Sequence, residues 1–349
     1  MAKACSYITK ATCIAVAVCG TLFTTTVMAQ SAGAYPAKPI TLMVSYDPAG
    51  ATDYQARLAV MMSEKEDYLG QPVVVINKPG KGGQLGWNWY TETAPHDGYM
   101  MAVYNVPHFI AQSIIFNTKY NISNLEPIAN WGADPAVLIV SKKSPYKSVA
   151  DLVAFAKEHP GQATISGGGN FSGHHIAMLQ LEKAAGIKLK YAPFDGGRPA
   201  LEAVVSGVVI AGFNNTSDVY RNLDKVNVLA IADIVRDKVF LPNVPTLREA
   251  GYDIDDTSVN VRGIMVQSEV APDVIEYLAK RTPLMFNDTA VSEKMRAGGA
   301  GLRIMNREQV KRMWSEREKT LGILLAGLKA EAAKKAETAK KTEAATRVP

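Results

Sequence analysis

Cysteine is nearly missing from this chain. Its three cysteines, Cys5, Cys13 and Cys19, all fall in the opening segment of a 349-residue sequence. The body therefore has no thiol for a disulfide or a metal–thiolate site, and its stability must come from burial of apolar surface. Histidine is sparse too, with five in all. His174 and His175 are adjacent, and neighbouring side chains on a helix diverge. They make a poor metal pair, and one is expected to face a cleft and the other solvent. No metal and no cofactor is expected. Charge of one sign is also lacking. The formal +5 comes from the ends: Lys3 and Lys10 at the start, and six Lys or Arg against three Glu from Lys329 to Pro349. Between them, thirty basic residues balance thirty acidic ones. Such a body carries no basic patch with interleaved aromatics, which excludes nucleic acid as a partner.

Long apolar runs are absent as well. The segment ATCIAVAVCGTLF (Ala11 to Phe23) is too short to span a bilayer comfortably. Lys3 and Lys10 precede it, and TTTVMAQ follows, with Val27 and Ala29 at the small-residue positions of a cleavage site. This is the pattern of a cleaved secretory signal over residues 1–29, which implies a periplasmic protein. A retained membrane anchor is the competing reading, and the bulky Val18 argues against a lipid on Cys19. Enzyme signatures are missing too. In GNFSG (Gly169 to Gly173) the serine is displaced by one position from a nucleophile elbow. Neither a phosphate-binding loop nor a dinucleotide fingerprint occurs.

What remains is a globular composition, 47% apolar and 20% charged, with a regular alternation. ITLMVS (Ile40 to Ser45) predicts a strand. Thr52 predicts the cap of a helix from about Asp53 to Tyr68. Strands follow at Val73 to Ile76 and Tyr99 to Asn105, with a helix between. The alternation restarts at Val137 to Lys142. It continues through a helix opened by a Ser148/Asp151 capping box, a strand at Ala163 to Ser166 and a helix ending at Gly186. KLKYAP, a short RPALEAVVSG helix, VVIAGFN and VNVLAIAD complete it. After the extended segment Val259 to Gln267 only helices are expected: Pro272 to Phe286, Thr289 to Ala297 and Arg307 to Leu328. The expected architecture is α/β with two lobes, each a doubly wound, mostly parallel sheet with flanking helices. Residues 30–136 and 251–328 make the first lobe and 137–250 the second. Residues 329–349 form a solvated Lys/Ala/Glu tail. Two crossovers, near Trp131 to Ile139 and Asp253 to Gly263, would form a hinge over a cleft.

Each lobe places a small-residue turn between a strand and a helix: SYDPAGAT in the first and SGGGNFSG in the second. Ligands of open α/β sheets bind beyond the carboxyl ends of the strands, where helix N-termini offer free amides and the positive end of a dipole. An ordinary βα turn explains either loop alone; the pair points to an anion held from both sides. A third glycine turn, PFDGGRPAL, offers Arg198 to a carboxylate. Asp47 is awkward in an anion site unless it points outward, caps its own turn or meets a cationic or hydroxyl group. Asp53 suits the first turn of its helix. Tyr46 belongs to an aromatic wall, and Asn105 and Asn214, at strand ends, complete the candidate set.

YPAKPITLMVSYDPAGATDYQAR resembles the amino-terminal signature of the periplasmic solute-binding proteins of tripartite tricarboxylate transporters, the TctC or Bug family. LGQPVVVINKPGKGGQLG, PHDGYMMAV, PYKSVADLVAFAKEHPGQATISGGG and LPNVPTLREAGY continue the likeness in order. The resemblance implies a Venus-flytrap fold that captures a small di- or tricarboxylate and delivers it to two integral membrane transporter subunits. It implies no enzymatic activity, and a monomer is expected. By position it assigns ligand contacts to Pro48, Ala49, Gly50, Ala51, Thr52 and Asp53. On the other jaw it assigns Ser166, Gly167, Gly168, Asn170 and Ser172, and His174 matches the family's histidine. Ala49 replaces the usual second glycine, and Phe194-Asp195 stands where a tyrosine and often a lysine are common. A sensor subunit feeding a receptor kinase, or a periplasmic enzyme using His174 with Asp53 or Asp195, are the alternatives.

Overall fold

A computed structural model describes residues 35–346, with side chains through Ala330. The signal segment expected over residues 1–29 lies outside the described residues. From Tyr35 onward the chain forms one compact unit. Along it run β1 (Ile40–Val44), α1 (Ala51–Ala59), β2 (Val73–Asn77), α2 (Gln84–Thr93), β3 (Met100–Val106), α3 (His108–Ile115) and β4 (Leu125–Asp134). Then come β5 (Ala136–Ser141), α4 (Val149–Glu158), β6 (Thr164–Gly167), α5 (Gly173–Ala185), β7 (Lys190–Pro193), α6 (Gly197–Val205), β8 (Ala211–Asn215), α7 (Thr216–Tyr220) and β9 (Val226–Ala232). The chain closes with β10 (Asn260–Gln267), α8 (Pro272–Phe286), α9 (Thr289–Ala297), β11 (Gly301–Met305) and α10 (Arg307–Thr346).

The strands form a six-stranded sheet, β11-β4-β10-β3-β1-β2, and a five-stranded sheet, β7-β6-β8-β5-β9. The fold is the two-lobed α/β one expected, but the sheets are mixed, not mostly parallel. In the first, β1 pairs in parallel with β2 and β3, while β10 and β4 run antiparallel to their neighbours. In the second, β6 is parallel to β7 and β8, while β5 is antiparallel to β8 and β9. The chain passes from the first sheet to the second between Asp134 and Ala136, with Pro135 alone between them, and comes back between Ala232 and Asn260. Both faces of each sheet are covered. In β1, for example, Ile40, Leu42 and Val44 pack with Trp131 and Phe286, while Met43 points to the other side with Trp87 and Tyr90. That two-sided burial explains why the strands read as continuous apolar runs.

Three elements depart from the sequence expectation. β4, LEPIANWGAD, falls where the alternation predicts no strand; despite its proline and glycine it lies buried between β10 and β11. Against β10 the register skips Trp131 and Ile128, two irregularities of β4 that flank Asn130 and adjoin Pro127. β11 adds a strand where only helices were expected. α1 is capped by Gly50, not Thr52, and stops at Ala59. Beyond Val60 the amides of Met61, Ser63, Lys65 and Tyr68 bond three residues back, a chain of tight turns. Among the described residues no helix is long and apolar enough to cross a membrane.

Candidate functional site between two uncapped helices

The turn between β1 and α1 is fixed from within. The Asp53 carboxylate accepts the Ala49 amide at 2.9 Å, the Asn77 Nδ2 at 2.9 Å and the Arg57 Nε at 3.0 Å. Burial works to raise its pKa, but these donors outweigh it and hold the group below the ordinary carboxylate range. With Asp53 turned inward, α1 has no side-chain cap at Gly50, so its first amides lack an intrahelical acceptor. Across from it, α6 starts at the N-cap Gly196, again with no side-chain cap. The two uncapped N-termini line one cavity of about 260 Å³. Pro48, Gly50, Ala51 and Thr52 form one wall, and Gly168, Gly196, Gly197 and Arg198 the other.

α5 is built differently. Ser172 caps it, and imidazoles take up the amides of its glycine loop. The Gly168 amide donates to His174 Nδ1 at 2.9 Å, Phe171 to His175 Nδ1 at 3.1 Å, and Gly173 to His108 Nδ1 at 3.4 Å. Because His174 Nδ1 accepts, its proton sits on Nε2, which donates to Asn215 Oδ1 at 3.2 Å. Burial pushes the pKa of His174 and His175 down to about 4 and that of His108 well below its usual value. His175 does not face solvent as expected; it stacks on Tyr191 at 3.9 Å.

The buried floor carries Asn105, His108, Asn215, Asp218 and Asn260. Behind it lies Arg262, 1% exposed, whose Nη1 donates to Asp134 Oδ2 at 2.7 Å and whose Nε donates to Thr52 Oγ1 at 3.1 Å. Its Nη2 has no partner. The Arg262 charge acts on Tyr46, His108 and His174 around the cavity. Asp134 also accepts the Ser217 amide at 3.0 Å, tying the end of β4 to α7 beside the second sheet. Among the described residues no cluster of three metal-ligating side chains occurs.

The family profile described as "Tripartite tricarboxylate transporter family receptor" matches residues 57–329. The chain belongs to this family. BugT of Bordetella pertussis is 30% identical over 77% of this chain and 83% of its own. A crystal structure of a TctC solute-binding protein from Polaromonas is 27% identical, covers 84% of this chain and 99% of its own, and superposes with a TM-score of 0.64. MatC from Rhodopseudomonas palustris, a structure with bound malate, shares the fold at 23% identity and a TM-score of 0.73, over 83% of this chain and all of its own.

In this TctC-family receptor, Tyr46, Pro48, Gly50, Ala51, Thr52, Asn105, Gly168, His174 and Arg198 line the shared cavity. The other candidates stand behind it or beside it. Ala49 faces a neighbouring groove. Ser166 Oγ bonds the Ala200 carbonyl, Ser172 caps α5, and Asn214 Nδ2 holds the Gly197 carbonyl at 2.7 Å. Gly167 is packed under Tyr191 and His174, and Asn170 meets Gln112 through its carbonyl. The sequence reading missed His108, Asn215, Asp218 and Asn260. Each sits at or near the carboxyl end of a strand or opens β10, so strand-end position was the available signal. Only the fold brings them to one floor.

Proposed function

We propose that this TctC-family receptor is exported to the periplasm, captures a small carboxylate in the cavity between its two sheets, and delivers it to two integral membrane transporter subunits. One observation carries the reading: two uncapped helix N-termini, α1 and α6, face a single cavity backed by the buried Arg262. Free amides and helix dipoles favour an anion there, and a ligand touching both walls would stabilise the closed form through differential affinity. The malate held by MatC, which shares this fold, is consistent with such a ligand.

No covalent step is proposed. His174 has both ring nitrogens engaged, by Gly168 and Asn215, and Asp53 is committed to the turn, so neither is free as a base. The test is titration calorimetry with thermal melting on protein stripped of bound solute, over a panel of mono-, di- and tricarboxylates and amino acids. A binding member at a hundredfold excess over its Kd should add about 2.7 kcal/mol of stability. A panel giving neither heat nor a melting shift would overturn carboxylate capture.

A further inference from the structure

The ionisable lining of the cavity has the wrong sign for a simple dianion. Asp47, Asp195, Glu202 and Asp218 line it against one basic side chain, Arg198. Arg198 is paired with Glu202 at 3.1 Å, and Asp218 with Arg221. Among the described residues Asp47 and Asp195 have no cationic partner, and each stands in the turn just ahead of an uncapped helix, α1 and α6 respectively. The two walls thus repeat one device: free amides beside an unpaired carboxylate. The floor adds a second, independent mark. Asn105 Oδ1 and Asn260 Oδ1 are buried acceptors with no partner, on residues 1% and 2% exposed that line the cavity. A buried acceptor left unpaired is costly, and a ligand carboxylate cannot satisfy it. An N–H donor can.

We propose that the solute is a zwitterion, a small monocarboxylate that also carries an ammonium group. This inference rests on the carboxylate-capture reading above and narrows it. The carboxylate meets the free amides in the field of Arg262; the ammonium meets Asp47, Asp195 and the orphan acceptors. A second ligand carboxylate in place of the ammonium would face two unpaired acids, and like charges brought together across an interface are strongly disfavoured. Discrimination by such repulsion is how a site rejects a near-isosteric competitor.

The test uses matched pairs in titration calorimetry: glutarate against 4-aminobutanoate, and adipate against 5-aminopentanoate. In each pair the ammonium-bearing member is expected to bind at least about tenfold tighter than the dicarboxylate. Asp47→Asn with Asp195→Asn should narrow that ratio by improving dicarboxylate binding. Dicarboxylates binding as well as or better than their partners would overturn the zwitterion while leaving carboxylate capture standing. A ratio unmoved by the double substitution would also overturn it. Failure of every acid to bind would overturn both readings.

Discussion

Ala49 holds φ +64° in the turn ahead of α1, a left-handed conformation that an L-residue with a Cβ adopts at a penalty of about 1–2 kcal/mol. The hydrogen bond that its N–H donates to the Asp53 carboxylate holds it there. Ala49→Gly should relieve the strain, partly offset by glycine's freedom in the unfolded chain, for a net gain of about 0.5–1 kcal/mol in chemical denaturation. Arg262 presents the opposite balance. It is buried, paired with Asp134 and braces Thr52. Arg262→Met leaves Asp134 as a buried charge without its cation, and a loss of about 3–5 kcal/mol is expected from urea unfolding. Solute binding should weaken with it, because the first turn of α1 loses its anchor. The sequence offered no hint of this pair: its partners are 128 positions apart.

At the scale of elements, capping decides which helices are open to a ligand. α5 is closed by Ser172 and its histidine acceptors, whereas α1 and α6 are not capped. The opening of α6 is tightly built, since a Cβ at Gly197 would lie 2.7 Å from Asp218 Oδ2 and 3.0 Å from Asn214 Oδ1. Gly197→Ala should therefore displace α6 or Asp218. A stability loss of about 1–3 kcal/mol is expected, with at least tenfold weaker binding by calorimetry; unchanged affinity would separate α6 from the site. Local signals gave the elements they govern. The Ser148/Asp151 box opens α4, and α8 and α9 span the residues expected of them. β4 and β11 escaped because their strand character comes from neighbours in the sheet, not from their own residues.

Across the whole molecule, the buried imidazoles make stability depend on acid. His174 titrates at about 4 in the folded chain, against about 6.5 when unfolded. A depressed pKa means that folding favours the neutral ring. The contribution is therefore complete above pH ~6.5 and is lost progressively as pH falls toward 4; for His174 alone it amounts to about 3 kcal/mol. Calorimetric melting should be nearly flat in this respect from pH 8 to 7 and drop between pH 6.5 and 4. His174→Asn, which keeps an acceptor for the Gly168 amide, should flatten that slope. Asp53, whose pKa is held low, adds its own loss at still lower pH. A slope unchanged in His174→Asn would remove this imidazole as its source.

By itself the sequence determined the strand–helix alternation, the glycine turns at strand ends, the family and the balanced charge of the body, because periodicity, caps and turn residues act over a few positions. The tertiary structure decided the rest. It made the sheets mixed by returning β10 antiparallel beside β3. It closed the glycine loop before α5 with His174, His175 and His108, and left α1 and α6 as the open pair. It also gathered Asn105, Asp218 and Asn260 from distant segments onto the floor of one cavity, with Arg262 behind them. Which amides stay free depends on which distant side chains arrive to accept them, and no local pattern carries that information.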